Sequence, residues 1–332
     1  MKNKETVCAI VVTYNRKKLL IECLDGLMKQ TRQLEAIYLI DNCSNDGTAE
    51  LLLENGYLDK LPPANILEPF EIIIDYDNSQ FLGAFDDGIE NKEAKIKIYY
   101  VRMNENTGGA GGFYEGVKRG YEKGYDWLWL MDDDVEPIYN GLERLFTYTN
   151  ISESIQPSRI YENGDRAFWS SYIEEDTGYT TSNKDLFIND KNWECVNVGC
   201  FEGLFFKAKL TEKVGYPEKK LFFVADDTLY GYRLSKVSNL IYIKDVALTK
   251  KIDKRNNEFS NLALYLEFRN RLGYVSRTIA KRKKLYYIRS MVSVLKYITI
   301  SLYKLEFKKS IICIKGYFHG VKEIWGKEKE YL

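Results

Sequence analysis

The sequence predicts an α/β protein: a mostly parallel sheet flanked by helices, followed by a helical C-terminal region. Residues 7–12 and 36–40 are continuous apolar, β-branched runs, the pattern of strands that are buried on both faces of a parallel sheet. Each run is followed by a polar loop and a helical stretch. Two such units in succession indicate a right-handed β-α-β arrangement.

Length and composition set the size of this fold. The chain has 332 residues, of which 45% are hydrophobic and 29% are charged, as in a globular rather than a disordered protein. We expect a Rossmann-like sheet domain over residues 1–250 and a basic, aromatic-rich helical region over residues 251–332.

A strand over residues 127–131 ends in three consecutive carboxylates, Asp132, Asp133 and Asp134. Successive side chains on an extended strand point to opposite faces, so Asp132 and Asp134 project to one side and Asp133 to the other. Two carboxylates placed in this way can share one hard divalent cation, Mg²⁺ or Mn²⁺, alongside the phosphates of a substrate. The alternative is a solvated acidic turn.

Polar loops also follow the first two strands, at residues 13–16 and 41–48. In open α/β sheets, ligands bind beyond the carboxyl ends of the strands, where both loops lie. Asp41 comes directly after a buried strand, and its carboxylate is well placed to accept hydrogen bonds from a ribose or a base. Ordinary turn chemistry is the alternative for both loops.

A glycine-rich loop follows a further strand at residues 98–102. Four of the five residues 108–112 are glycines, and the loop leads into a helix whose amino terminus favours anions. The spacing is neither that of a Walker loop nor that of a dinucleotide-binding loop. The glycines either allow a ligand to approach the backbone or let the helix pack closely on the sheet.

A second acidic pair, Asp226 and Asp227, follows an apolar, strand-like run at residues 221–225. A helix over residues 228–236 comes next and carries Arg233. Two acidic loops, each preceded by apolar residues, predict a metal site and a catalytic base in one cleft.

Cysteine and histidine usage argues against a structural zinc site. The six cysteines are scattered without C-x-x-C spacing, and the chain has a single histidine, His319. The first residues run straight into a strand and lack the apolar segment of a signal peptide. A reducing, cytoplasmic setting is the expectation.

The C-terminal region is strongly basic. Residues 277–332 carry fourteen Lys or Arg and four Asp or Glu, a net charge of +10 that the preceding residues balance. Within a predicted helix over residues 281–303, Arg289 and Lys296 lie on one face, which favours an interfacial helix on an anionic membrane over a transmembrane helix. A helical cap on the sheet or a dimer interface is the alternative, and no motif supports nucleic-acid binding.

Five signals in this order resemble a family 2 glycosyltransferase with the GT-A fold, over roughly residues 6–275. They are VTYNR at 12–16, DNCSNDGT at 41–48, NTGGAGG at 106–112, DDD at 132–134, and the DD at 226–227 with Arg233. The NTGGAGG run beside DDD is most similar to the galactofuranosyltransferase-like branch. Rhamnosyltransferases that build bacterial surface polysaccharides are close relatives.

The resemblance implies a role for each residue. Asp227 would deprotonate the acceptor hydroxyl, while Asp132 and Asp134 would bind Mn²⁺ or Mg²⁺ on the diphosphate. Asp226 and Arg233 would be accessory. The donor-binding residues would be Thr13, Tyr14, Asn15, Arg16, Asp41, Asn106, Gly108, Gly109, Asp132 and Asp133.

The implied activity is an inverting transfer of a sugar from a nucleotide-sugar donor, with UDP-galactofuranose as the first choice. The acceptor would be a hydroxyl of a glycan or lipid-linked glycan in bacterial cell-surface polysaccharide synthesis, and the enzyme would be peripheral on the inner face of the cell membrane. A homo-oligomer is compatible with these features. The alternatives are a donor of dTDP-rhamnose or of a pyranose hexose, or a non-catalytic nucleotide- or glycan-binding protein on the same fold.

One departure from the family concerns the metal. The family commonly places a histidine shortly after the second acidic pair, where it assists the cation, and here Lys250 stands nearest to that position. A protonated lysine cannot ligate a metal. Lys250 would either neutralise the diphosphate directly or be a solvent-facing charge.

Overall fold

The computed structural model describes residues 5–82, 95–167, 172–181, 191–253 and 259–331. Its strands are β1 (Val7–Thr13), β2 (Ala36–Asp41), β3 (Phe70–Asp77), β4 (Lys95–Arg102), β5 (Trp127–Asp132), β6 (Val135–Pro137), β7 (Ser154–Tyr161), β8 (Tyr172–Glu174), β9 (Tyr179–Thr181), β10 (Trp193–Cys195), β11 (Phe205–Lys207) and β12 (Ile241–Lys250).

Its helices are α1 (Lys17–Met28), α2 (Thr48–Glu54), α3 (Ser79–Leu82), α4 (Gly108–Glu122), α5 (Gly141–Phe146), α6 (Thr211–Val214), α7 (Asp226–Ser235), α8 (Asn261–Leu266), α9 (Arg277–Ile279), α10 (Lys283–Tyr303) and α11 (Phe307–Val321). A π-helical segment, Glu267–Ser276, joins α8 to α9. Short 3₁₀ turns occupy Ala208–Leu210, Lys219–Leu221 and Lys327–Glu330.

Ten of these strands form one mixed sheet, in the order β10-β12-β7-β11-β5-β1-β2-β4-β3 with β6 beside β12. The long central strands pair in parallel: β1 with β2 and β5, β2 with β4, and β7 with β12. Antiparallel pairing occurs at the edge strand β3 and at the short β11, which lies between β5 and β7. The predicted α/β class, with a mostly parallel sheet flanked by helices, is confirmed.

β1 is fully buried on both faces, as its continuous apolar run predicts. Ala9 and Val11 belong to the same hydrophobic cluster as Leu20 of α1. Ile10 belongs instead to the cluster that contains Val117 of α4. Because helices cover both faces of the sheet, the side chains of β1 are buried on both sides. The strand therefore shows a continuous apolar run in place of alternating apolar and polar residues.

Glycines bring α4 close to the sheet. A Cβ added at Gly112 would lie 2.5 Å from Cγ1 of Val12, and one added at Gly116 would lie 2.3 Å from Cγ2 of Ile10. Side chains at these positions would push the helix away from β1. Close packing of the helix on the sheet therefore accounts for Gly112 of the glycine-rich run.

The C-terminal helices pack on one another. α8, the π-helical segment and α9 are continuous, and α11 crosses them at two glycines. A Cβ added at Gly316 would lie 2.6 Å from the carbonyl oxygen of Tyr265, and one at Gly320 would lie 2.0 Å from that of Arg269. The predicted helix over residues 281–303 corresponds to α10. In the described part of the chain, no helix is both long and apolar enough to cross a membrane.

Residues 221–225 do not form a strand, so that prediction is wrong. Leu221 ends a 3₁₀ turn, and Phe222, Val224 and Ala225 have φ angles of 68°, 72° and 65°. The apolar pattern arises because most of these side chains are buried in the core. A short apolar run alone does not distinguish a buried strand from other buried backbone.

Candidate active site

Loops from four strands meet at the carboxyl edge of the sheet. In the parallel register, Thr13 at the end of β1 lies opposite Asp41 at the end of β2, and Asp41 lies opposite Arg102 of β4. Asp132 ends β5 opposite Val12. The sheet therefore brings the first loop, the second loop, the glycine-rich loop and the three aspartates together.

Asp133 contacts the first loop. Its Oδ2 accepts hydrogen bonds from Oγ1 of Thr13 at 2.7 Å and from the backbone N–H of Tyr14 at 3.3 Å. Nη1 of Arg16 lies 3.0 Å from Oδ1 of Asp133 and 3.2 Å from Oδ2 of Asp134. Burial would lower the pKa of Arg16, but these two carboxylates raise it above its usual range, so the guanidinium stays charged.

Asp132 and Asp134 converge with Glu202. One carboxylate oxygen from each of the three residues lies within 4.8 Å of the others. Burial, together with the charges of Asp134 and Glu202, raises the pKa of Asp132 well above its usual range. This donor set fits a hard divalent cation, because such a cation prefers carboxylate oxygens and its charge would favour the ionised form of Asp132.

Glu202 is also paired with two cations, Arg159 and Lys250. Burial would raise the pKa of Glu202, but the two cations outweigh burial and lower it to about 2. The side chain of Lys250 is only 13% exposed, so it is not a solvent-facing charge. A cation bound at the three carboxylates would compete with Lys250 for Glu202.

Asp41 is completely buried and is engaged by protein groups on both carboxylate oxygens. Oδ1 accepts a hydrogen bond from the backbone N–H of Ser44 at 2.8 Å. Oδ2 accepts one from the hydroxyl of Tyr100 at 2.7 Å and one from Nη1 of Arg102 at 2.6 Å. Asp41 therefore fixes the Arg102 guanidinium at this edge of the sheet.

Residues 108–112 form the first turns of α4, so their prediction as a loop is wrong. Two asparagines hold the start of this glycine-rich run. Nδ2 of Asn42 donates to Oδ1 of Asn106 at 3.1 Å and to the carbonyl of Gly108 at 2.8 Å. Gly108 has a φ angle of 70°, and an added Cβ would lie 2.0 Å from the carbonyl oxygen of Phe222, whereas one added at Gly109 would meet nothing within 4 Å. Gly108 thus allows the start of α4 to contact the backbone of Phe222, and Gly109 borders open space.

The second acidic pair begins α7. Oδ1 of Asp227 accepts hydrogen bonds from the backbone N–H of Thr228 at 2.5 Å and from its hydroxyl at 3.1 Å. Burial and the charge of Asp227 raise the pKa of Asp226 to about 7. Burial lowers the pKa of Arg159, but Cys200 and Glu202 beside it raise that pKa above its usual range.

Glu202 and Arg159 were not predicted from the sequence. Glu202 lies in a turn between a loop and β11, and Arg159 lies on β7, where buried polar residues alternate with apolar ones. Neither position carries a local motif. Only the pairing of β7 and β11 beside β5 brings the two side chains to the aspartates.

Arg271, which the sequence did not indicate, contacts the residue that follows the second acidic pair, while Arg233 pairs elsewhere. Nη1 of Arg271, on the π-helical segment, lies 3.3 Å from Oγ1 of Thr228. Arg233 pairs with Glu218 at 3.4 Å, towards the other end of α7. Spacing along the chain favoured Arg233 because Arg271 comes from a separate helix.

The chain belongs to glycosyl transferase family 2, because the model of this family matches residues 8–60 and 64–210. These ranges contain the first three loops, the three aspartates and Glu202. The protein is a glycosyltransferase, as the resemblance in its motifs implied, and the non-catalytic alternative is not favoured.

A more particular likeness is to a galactofuranosyltransferase. The chain is 26% identical over 247 residues to galactofuranosyltransferase GlfT1 of Mycolicibacterium smegmatis, a match that covers 70% of this chain and 67% of that protein.

Two solved structures share the fold. TarS of S. aureus (residues 1–349), in complex with UDP-GlcNAc, superposes with a TM-score of 0.55 at 16% identity, over 95% of this chain and 81% of that chain. The mannosyltransferase PcManGT of Pyrobaculum calidifontis, in complex with GDP-Man and Mn²⁺, gives a TM-score of 0.50 at 12% identity, over 97% and 89% of the two chains. The GT-A fold is confirmed.

Proposed function

We propose that this glycosyltransferase transfers galactofuranose from UDP-galactofuranose, with inversion, to a hydroxyl of a glycan or lipid-linked glycan of the bacterial cell surface. The observation that carries the proposal is a cluster of three carboxylates within the residues that the family model matches. The carboxylates of Asp132, Asp134 and Glu202 lie together at the end of β5, and Arg159 pairs with Glu202.

The choice of donor rests on the likeness to galactofuranosyltransferase GlfT1 of M. smegmatis at 26% identity. A donor of dTDP-rhamnose or of a pyranose hexose is the alternative within the same reaction class. The nucleotide would lie across the edge formed by the first two loops, against Thr13, Tyr14, Asn15 and Arg16. The buried Asp41, predicted to contact it, would instead support this edge by holding Arg102. The sugar and the diphosphate would lie towards Asn106, Gly108, Gly109, Asp132 and Asp133.

Asp132 and Asp134 would hold Mn²⁺ or Mg²⁺, with Glu202 as a third carboxylate. When bound, the cation would neutralise charge on the departing diphosphate. Lys250 lies beside this cluster and would add a second positive charge, in the place where the family commonly has a histidine. Asp226 would be accessory.

Asp227 would act as the general base. It would accept the proton of the acceptor hydroxyl as that oxygen bonds to the anomeric carbon and the bond from this carbon to the diphosphate breaks. A single displacement inverts the anomeric configuration. The neighbouring Asp226, whose pKa is raised to about 7 by burial and by Asp227, is less suited to stay ionised at neutral pH.

A panel of nucleotide sugars, each with and without Mn²⁺, tests this function. We expect UDP-galactofuranose with Mn²⁺ to give the largest thermal stabilisation, since a ligand at about 100 times its Kd adds roughly 2.7 kcal/mol to the free energy of unfolding. Asp134→Asn should abolish the Mn²⁺-dependent part. Asp75→Asn, an exposed carboxylate paired with Lys97 on β3 and β4, is the matched control.

The same panel is then assayed for release of nucleoside diphosphate in the presence of a galactan acceptor. If only dTDP-rhamnose or only a hexopyranose donor is turned over, the proposed donor sugar is wrong and the proposed mechanism stands. A protein that binds nucleotide sugars but releases no nucleoside diphosphate from any donor would contradict the proposal.

We also propose that α10 and α11 attach the enzyme to an anionic membrane surface. Both helices leave an apolar stripe exposed to solvent: Ile288, Met291, Val292 and Leu295 on α10, and Phe307, Ile311, Ile314 and Phe318 on α11. Residues 281–322 contain eleven Lys or Arg and a single acidic residue, Glu306. Apolar stripes among basic residues complement an anionic bilayer rather than an acidic protein or a second basic copy of this chain.

A further inference from the structure

The backbone directly before the second acidic pair is strained. Phe222, Val224 and Ala225 all have φ angles between 65° and 72°, a region that residues with a Cβ seldom adopt. Such a conformation persists only when the surrounding structure holds it in place. We call residues 221–225 the acidic-pair loop.

Asn270 holds this loop from one side. It lies on the π-helical segment and is completely buried. Its Nδ2 lies 2.7 Å from the carbonyl oxygen of Leu221, 2.7 Å from that of Phe223 and 3.0 Å from that of Val224. One side-chain amide thus serves three carbonyl groups of the acidic-pair loop.

Arg269 fixes the orientation of that amide. Its Nε donates to Oδ1 of Asn270 at 2.8 Å, so the NH₂ group of Asn270 faces the loop. Nη2 of Arg269 donates to the carbonyl of Leu221 at 3.1 Å, and Nη1 forms a buried ion pair with Glu328. Every polar group of Asn270 therefore has a defined partner.

The start of α4, with its glycine-rich run, holds the opposite side. The backbone N–H of Ala110 donates to the carbonyl of Phe222 at 2.9 Å, and Gly108 leaves room for that oxygen. The start of α4 thus holds Phe222, while Asn270 holds the residues on either side of it. Asp226 comes directly after Ala225, the last residue of the acidic-pair loop.

We propose that Asn270 is a positioning residue for the acidic pair: it sets the backbone from which Asp227 presents its carboxylate to the acceptor. The inference rests on the proposed function, in which Asp227 is the base. Asn270 does not lie among the first two loops, where the nucleotide would bind. Its loss should therefore lower kcat and leave donor affinity unchanged.

The substitution Asn270→Asp tests this role with almost no change of shape. It replaces the NH₂ group by an oxygen that faces three carbonyl oxygens, so the loop must move away. A misplacement of about 1 Å near the reacting atoms can cost roughly 100-fold in rate, and we expect a fall in kcat of that order. The Kd for UDP-galactofuranose, measured separately, should not change.

Asn78→Asp is the matched control. Asn78 is also completely buried, and its Nδ2 donates to a backbone carbonyl, that of Met28, at 3.0 Å. Both variants lose an amide donor in the interior, but only Asn270 contacts the acidic-pair loop. If both variants show the same fall in kcat at equal stability, Asn270 is merely structural and the proposal is wrong.

Hydrogen exchange gives a readout that does not depend on activity. In Asn270→Asp, and not in Asn78→Asp, the amides of residues 222–229 should exchange faster, including that of Leu229, which donates to the carbonyl of Ala225. Unchanged exchange there would overturn the inference. If the wild-type protein transfers no sugar while exchange rises as expected, the proposed function fails and the loop contact stands.

A second variant covers the case in which Asn270→Asp does not fold. Asn270→Ser keeps a neutral, shorter donor that reaches fewer of the three carbonyl groups. We expect it to fold, to lower kcat less than Asn270→Asp would, and to raise exchange in the same residues. A kcat equal to that of the wild type in Asn270→Ser, with faster exchange, would show that loop position does not limit catalysis.

Discussion

The carboxylates of the site differ in what neutralises them. Asp133 lies against Arg16, and Glu202 lies between Arg159 and Lys250. Asp132 and Asp226 have buried, negative surroundings instead, and burial raises the pKa of each, as it also raises that of Asp133 despite Arg16. Groups whose surroundings push their pKa values apart are typical of sites that bind cations and move protons.

Asp227→Asn should lower kcat by roughly two to four orders of magnitude, the usual contribution of a general base, and should leave the Kd of the donor nearly intact. Asp226→Asn is the matched control, one residue away, and should cause a smaller loss. Kinetics with donor binding measured separately will decide. An inactive Asp226→Asn beside an active Asp227→Asn would show that the two roles are reversed.

Asp226 should also make stability depend on pH. Its folded-state pKa of about 7 exceeds the unfolded value, so the folded protein binds more protons between about pH 4 and pH 7, and stability falls as the pH rises through this range. Asp226→Asn removes the ionisation.

Urea unfolding without metal should therefore find Asp226→Asn more stable than the wild type at pH 8, by up to about 4 kcal/mol, and equally stable at pH 4. An advantage that is the same at both pH values would contradict a raised pKa for Asp226.

At the level of elements, the sequence predicted the strands and loops whose formation depends on neighbouring residues in the chain. The central strands and the polar loops that follow them were predicted because each strand is one uninterrupted apolar run. β7 was missed because it contains Pro157 and buried polar residues such as Ser158, whose hydroxyl bonds to Tyr242 and to a backbone carbonyl. Long-range hydrogen bonds replace the apolar pattern there.

The two C-terminal helices carry the membrane prediction. Ile288→Glu combined with Leu295→Glu places two charges in the apolar stripe of α10, where the side chains are 64% and 57% exposed. We expect the wild-type protein to co-sediment with phosphatidylglycerol-containing vesicles and the variant to stay in solution, without loss of donor binding.

Leu67→Glu is the control for that experiment, since Leu67 is 98% exposed and lies outside both helices. It should co-sediment like the wild type. Binding that persists in the double variant, or that is equal on neutral phosphatidylcholine vesicles, would show that α10 is not the contact.

At the level of the whole molecule, the fold was predictable further than the site. The three aspartates, Asp41 and the second acidic pair all lie in short motifs that the sequence shows directly. The sheet brings the three aspartates and Asp41 to one edge. Glu202 and Asn270 carry no motif. They reach the site through the pairing of β11 with β5 and through the packing of the C-terminal helices, which depend on contacts distant in the sequence.

The hold of Asn270 on the acidic-pair loop has a consequence for synthesis. During translation, Asn270 is added 49 residues after Leu221, whose carbonyl group it binds. Glu328, the ion-pair partner of Arg269, is added 59 residues after Arg269. At a synthesis rate of about 5–20 residues per second, the acidic-pair loop is made several seconds before the side chains that donate hydrogen bonds to it. The last strand of the sheet, β12, is therefore synthesised before the side chains that hold the acidic-pair loop, and a growing chain can complete these contacts only after Glu328 has been added.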